Sequence, residues 1–95
     1  PQRPTMRQMT ASEVQQYLTD TDTPPYLLDV REPSEWEVCR IQGSELVPMQ
    51  QIPGRLDQLD PDRETIVICH HGVRSYQVAL YLERCGFDDV INLRG

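Results

Sequence analysis

Apolar residues fall in short clusters along the chain, separated by polar stretches rich in proline and aspartate. Thr10-Ala11-Ser12-Glu13 has the T-x-x-E form of a capping box, and Ala11, Val14 and Leu18 then share one helical face, so a first helix is predicted over residues 11–18. The polar stretch that follows ends in Pro24-Pro25 and reads as a loop. Tyr26-Leu27-Leu28-Asp29-Val30 is apolar on both alternating faces except at Asp29, the pattern of a strand covered on both sides. Pro33 suits a first helical position, with Ser34, Glu35 and Glu37 as early-turn neighbours. A brief strand is expected around residues 45–47. Ile52, Leu56 and Leu59 are spaced i, i+4, i+7 behind Pro53 and before the stop Asp60-Pro61-Asp62, which predicts another helix. Thr65-Ile66-Val67-Ile68 reads as a second buried strand. Ser75, Val78, Ala79, Leu82 and Cys85 mark a helical face that ends at Gly86, with Cys85 read as core packing, and residues 90–93 form a last strand.

Strands that alternate with helices at these spacings imply crossover units and a parallel sheet covered on both faces. Ligands of such sheets gather outside the carboxyl ends of the strands. Two groups lie there: Asp29 with Arg31, and the loop that starts at Cys69.

Length and charge narrow the function. Ninety-five residues suffice for one compact domain, 1–95, with residues 1–5 read as a linker or the edge of a longer chain. Asp and Glu number 15 against 9 arginines and no lysine, a net charge of -6, which speaks against nucleic acid or an anionic membrane surface as partner. No apolar run approaches the ~20 residues of a membrane span. Cys39, Cys69 and Cys85 are an odd set without metal-ligand spacing, so neither a disulfide framework nor a metal site is expected, and a reducing, cytoplasmic setting is the default.

Cys69 stands where a buried strand stops, and Cys69-His70-His71-Gly72-Val73-Arg74 precedes a helix expected to begin near Ser75. Backbone N–H groups of a tight loop and the positive end of a helix both favour thiolate over thiol. Gly72 permits a left-handed turn, and Arg74 either adds charge or braces the loop through a carboxylate such as Asp29. From spacing alone, an inert buried cysteine is as good a reading as an activated one.

Four fragments in order resemble the rhodanese-like domain family, over nearly the whole chain. Leu27-Leu28-Asp29-Val30-Arg31-Glu32 with Glu35-Trp36 resembles its D-V-R motif and following acid-aromatic pair, and Ile41-Gln42-Gly43-Ser44 resembles its H-I-P-G-A stretch. Cys69-His70-His71-Gly72-Val73-Arg74-Ser75 is similar to its C-x-x-G-x-R-S loop, and Gly86-Phe87 with residues 90–95 is similar to its G-F-x-x-V-x-x-L-x-G ending. Cys39 replaces a residue that is usually small, and Arg40 replaces the usual histidine.

The resemblance implies a three-layer α/β fold around a five-stranded, mostly parallel sheet, no cofactor, and a sulfurtransferase. Cys69 would take the sulfane sulfur of a thiosulfate-like donor as a persulfide and pass it to a thiol, a protein thiol included, or to cyanide. His70, His71, Gly72, Val73, Arg74 and Ser75 would cradle the persulfide, with Asp29 and Arg31 in support or simply joined as a buried ion pair. The family usually continues past the glycine matched by Gly95 into a closing helix, so that helix is expected to be missing and an apolar strip of the sheet left uncovered. Only four residues separate Cys69 from Arg74, one fewer than in the C-x5-R loop of similar cysteine phosphatases, which disfavours phosphate. Trp36 is read as core, Cys39 as either a bystander or a resolving thiol. The alternative to an enzyme is a non-catalytic or regulatory binding module of a larger protein.

Overall fold

The computed structural model describes residues 6–94; the stretch read as a linker lies outside them. In chain order the elements are β1 (Arg7–Thr10), α1 (Ala11–Asp20), β2 (Tyr26–Asp29), α2 (Pro33–Val38), β3 (Glu45–Leu46), α3 (Ile52–Arg55), β4 (Thr65–Ile68), α4 (Val73–Arg84) and β5 (Val90–Arg94). The sheet runs β1-β5-β4-β2-β3, and every neighbouring pair is parallel. The expectation of a mostly parallel sheet thus sharpens to an all-parallel one.

Side chains of successive strand residues point to opposite faces, and the two cores follow that parity. Leu28, Val67 and Val90 pack with Val78, Ala79, Leu82 and Phe87 on the α4 side, while Leu27, Ile66 and Ile91 pack with Val14 of α1 on the other. Each of these side chains larger than Ala79 contributes roughly 1.5–3 kcal/mol by leaving water. An apolar groove of about 340 Å³ lies on the α1 side, lined by Val14, Leu18, Ile41 and Leu93.

The first strand was not legible. Arg7-Gln8-Met9-Thr10 carries no apolar alternation because it lies at the sheet edge, paired on one side only with β5. It is held from outside by Arg7, which bonds Glu64 at 3.0 Å and Asp89 at 2.7 Å, and by the Tyr17 hydroxyl, which donates to the same Glu64. Thr10 then caps α1: its hydroxyl accepts from Glu13 N–H at 3.2 Å while Glu13 Oε1 accepts from Thr10 N–H at 2.8 Å.

Two further expectations change. The helix predicted through Ile52, Leu56 and Leu59 is broken into 3₁₀ turns at Met49–Gln51 and Leu56–Gln58 on either side of the four-residue α3. Pro53 and Gly54 leave too little helical preference for a longer run, yet Ile52 and Leu59 still reach the core. Cys85, read as packing, is exposed, because it is the C-cap and the chain leaves the helical stripe there. Gly86 at φ +97° lets the chain reverse, Gly86 N–H donates to Glu83 O at 3.1 Å, and Phe87 N–H donates to Leu82 O at 3.0 Å. Phe87 then fills the core position in place of Cys85.

Candidate active site

The carboxyl ends of β2 and β4 converge on one rim of the sheet, since Asp29 is in register with Ile68. Val30 N–H donates to Ile68 O at 3.0 Å, so the two strands stay together to the point where the loops leave. Cys69 follows directly and is 6 % exposed.

The loop wraps back on its own sulfur. Gly72 takes the left-handed conformation, φ 81° and ψ 0°, as the N-cap of α4, a geometry a Cβ disfavours. That turn aims Gly72 N–H at Cys69 Sγ, 3.0 Å away, and brings Ser75 N–H to 3.3 Å from it. The Ser75 side chain, fully buried, lies 3.2 Å from the same sulfur. Burial pushes the thiol pKa up, but the hydrogen bonds at Ser75, Gly72 and His71 outweigh it, and Cys69 is held below the ordinary thiol value. The helix begins at Val73, two residues earlier than expected, so Val73 and Arg74 belong to its first turn.

Arg74 does not reach Asp29. It braces the loop through another carboxylate, Glu35 of α2, at 2.9 Å from each of two guanidinium nitrogens. Asp29 is fully buried and taken by Arg31, whose Nε lies 2.9 and 3.0 Å from its two oxygens and whose Nη2 lies 2.7 Å from Oδ2. Arg31 Nη2 also donates to the Cys39 carbonyl. The pair therefore ties the end of β2 to the end of α2, a bracing role of the kind weighed above for these residues.

His70 and His71 are both exposed and stack edge to face, 4.2 Å between ring centres. His70 faces a cavity of about 210 Å³ that Cys69 shares with Arg31, Cys39, Arg40 and Ile41. Arg31, Arg40 and His70 thus line the cavity that opens on the sulfur, with the charge of Arg31 already paired with Asp29. Trp36, expected in the core, instead lies half-exposed with the Arg40 guanidinium 4.9 Å over its ring, because α2 fully buries none of its residues.

One residue at the site had no reading from the sequence. Asn92 in β5 is 1 % exposed and accepts the Ser75 hydroxyl proton. Its only sequence signal was a polar residue on the covered face of an otherwise apolar strand, Val90-Ile91-Asn92-Leu93.

The chain belongs to the rhodanese-like domain family, whose family model matches residues 10–95. It is 34 % identical over 90 residues to a sulfurtransferase of Allochromatium vinosum, covering 95 % of this chain and 83 % of that one. It is 32 % identical to a thiosulfate sulfurtransferase of Pseudoalteromonas translucida over 73 % of this chain and 66 % of the other. The crystal structure of a rhodanese-like domain protein from Staphylococcus aureus superposes with a TM-score of 0.86 at 32 % identity, covering 95 % of this chain and 86 % of that one. Some relatives are much longer: the chain spans 24 % of a rhodanese-like/PpiC domain-containing protein of Arabidopsis thaliana.

Proposed function

We propose that this protein is a sulfurtransferase that carries sulfane sulfur on Cys69, with thiosulfate or a like anion as donor. The observation that carries the reading is the aim of two backbone N–H groups, from Gly72 and Ser75, at the Cys69 sulfur where it meets a cavity. Such preorganised donors stabilise negative charge on sulfur without having to reorient.

The Cys69 thiolate attacks the outer sulfur of thiosulfate. A Cys69–S bond forms, the donor's S–S bond breaks, and sulfite leaves with the bonding pair. The outer sulfur of the persulfide then bonds to an acceptor thiolate or cyanide, and Cys69 leaves as thiolate, ready for another donor. The Arg40 guanidinium at the mouth, with the backbone N–H groups of Gly72 and Ser75, offsets part of the repulsion that a chain of charge -6 exerts on a dianion. Relatives named as sulfurtransferases, one of them for thiosulfate, support the same chemistry. The residues of the loop hold and orient the sulfur in this scheme, and no cofactor enters it.

Intact-mass measurement after incubation with thiosulfate tests the reading. One added sulfur per chain is expected, removed by cyanide or a thiol and absent from Cys69→Ser. A folded chain that takes no sulfur from thiosulfate rejects that donor, and an adduct that persists in Cys69→Ser places the nucleophile elsewhere.

A further inference from the structure

Strand parity puts a polar side chain into the apolar layer beneath α4. Asn92 shares the face of Val90 and sits in register with Val67. An amide buried this deeply costs stability unless its groups are bonded. Asn92 Nδ2 lies 3.4 Å from Gly72 O and 3.3 Å from Gln8 Oε1, and Oδ1 accepts from Ser75 Oγ. The Gly72 carbonyl, which also takes Tyr76 N–H at 3.3 Å, can only accept. The amide nitrogen therefore belongs on the Gly72 side, and the amide oxygen must face Ser75.

A serine hydroxyl has one proton to give. With that proton on Asn92, Ser75 Oγ turns lone pairs toward Cys69, and the Cys69 thiol donates to it over 3.2 Å. The relay from S–H to O–H to amide oxygen suits the thiol. The N–H groups of Gly72 and Ser75 suit the thiolate. Turning the Ser75 hydroxyl toward a thiolate would strip Asn92 Oδ1 of its donor where both side chains are buried, at the cost of a buried unsatisfied acceptor.

We propose that Asn92 is a positioning residue that holds the Ser75 proton, keeps Ser75 an acceptor toward Cys69, and so sets the balance between thiol and thiolate against the pull of the loop. Around the sulfur, Arg31 and Arg74 are paired with Asp29 and Glu35, and Arg40 and His70 line the cavity, so the pull toward the anion comes chiefly from the Gly72 and Ser75 N–H groups. Burial acts in the opposite direction, and Asn92 competes with the sulfur for the Ser75 proton, withholding the side-chain hydrogen bond that would otherwise favour the anion. The arrangement has a use in sulfur exchange, because a thiolate loses nucleophilicity as its pKa falls and attacks best when that pKa lies near the ambient pH. This inference rests on Cys69 acting as a thiolate, as in the function proposed above.

The test is the rate of Cys69 alkylation by iodoacetamide against pH, in a protein carrying Cys39→Ser and Cys85→Ser. Asn92→Leu removes the acceptor and frees the Ser75 hydroxyl to donate to sulfur. Its alkylation on the acid side of the thiol midpoint is expected to rise roughly two- to tenfold, the worth of one hydrogen bond. Adding Ser75→Ala should abolish that gain, since the effect passes through the hydroxyl. Asn92→Asp still offers Ser75 an acceptor, and its rate should stay at or below that of the parent. A folded Asn92→Leu protein with an unchanged or slower rate overturns the proposal, as does a gain that survives Ser75→Ala. Where Asn92→Leu does not fold, Asn92→Asp decides: a rate above the parent overturns the proposal, and one at or below it supports it. Alkylation reads the sulfur itself, so a chain that shows these shifts yet takes no sulfur from thiosulfate keeps this inference and loses the proposed function.

Discussion

Arg74 and Glu35 form a two-pronged ion pair across 39 residues of sequence, Nη1 to Oε1 and Nη2 to Oε2, each at 2.9 Å. The pair fastens the first turn of α4 to α2 and so fixes the cysteine loop between them. Glu35 Oε1 also accepts Glu32 N–H at 2.9 Å, which locks its own orientation. A fork that fits a carboxylate this way specifies geometry as well as charge.

If Arg74 works as a brace, breaking either end should do the same damage. Arg74→Gln and Glu35→Gln are each expected to lower kcat/KM for thiosulfate by roughly three- to tenfold, and the double variant should be no worse than the singles, the mark of a coupled pair. Steady-state kinetics of the three proteins checks this. A direct contact between Arg74 and the donor would show instead as a loss confined to Arg74→Gln.

The same pair predicts a pH window. Glu35 is pulled down from its ordinary value of 4.5 to about 2, first by the hydrogen bonds from Arg74, then by Glu32 N–H. A depressed carboxyl stabilises the fold fully above its unfolded value and loses that contribution as pH falls through the folded one. Stability against urea should therefore drop between about pH 4.5 and 2, and Glu35→Gln should drop less over that interval. Parallel acid profiles of the two proteins would reject the assignment.

Buried elements were the legible ones. The strands at residues 26–29 and 65–68 and the helix ending at Gly86 announce themselves because both faces, or one helical stripe, must be apolar to be covered. β1 did not, since an edge strand needs no apolar pattern. The Cys69 loop was legible through its glycine, which only a left-handed turn requires, and through family resemblance. What joins the site was not: the link from Arg74 to Glu35, in place of one to Asp29, depends on where α2 comes to rest. Asn92 was hidden for a similar reason, because one polar residue in a strand does not reveal which face it takes or what lies opposite.

Three cysteines allow a clean separation of roles. Cys69→Ser should abolish sulfur transfer with little effect on thermal unfolding, because a serine hydroxyl stays protonated near neutral pH and does not take sulfur. Cys39→Ser and Cys85→Ser should retain activity within about twofold, the size of ordinary surface substitutions. Cys39 is the stricter case, as it lines the same cavity as Cys69. A fall well beyond that in Cys39→Ser would make it a resolving or receiving thiol.

Gly72 tests whether the aim of the cradle, rather than the mere presence of a cysteine, makes the sulfur reactive. Its φ of 81° places it where an alanine costs roughly 1–2 kcal/mol, and a chain of this size should lose about 4–8 °C in Tm per kcal/mol. An alanine that relaxes this strain swings the residue 72 N–H away from Cys69 Sγ, removing one of the backbone donors to that sulfur. Gly72→Ala is therefore expected to unfold at lower temperature and also, well below its new Tm, to alkylate Cys69 more slowly at acid pH and take up sulfur more slowly from thiosulfate. Circular dichroism and the two rate measurements at one low temperature separate these effects. A variant with lowered Tm but undiminished Cys69 reactivity would mean that Ser75 N–H and the end of α4 suffice, and that Gly72 serves only the turn.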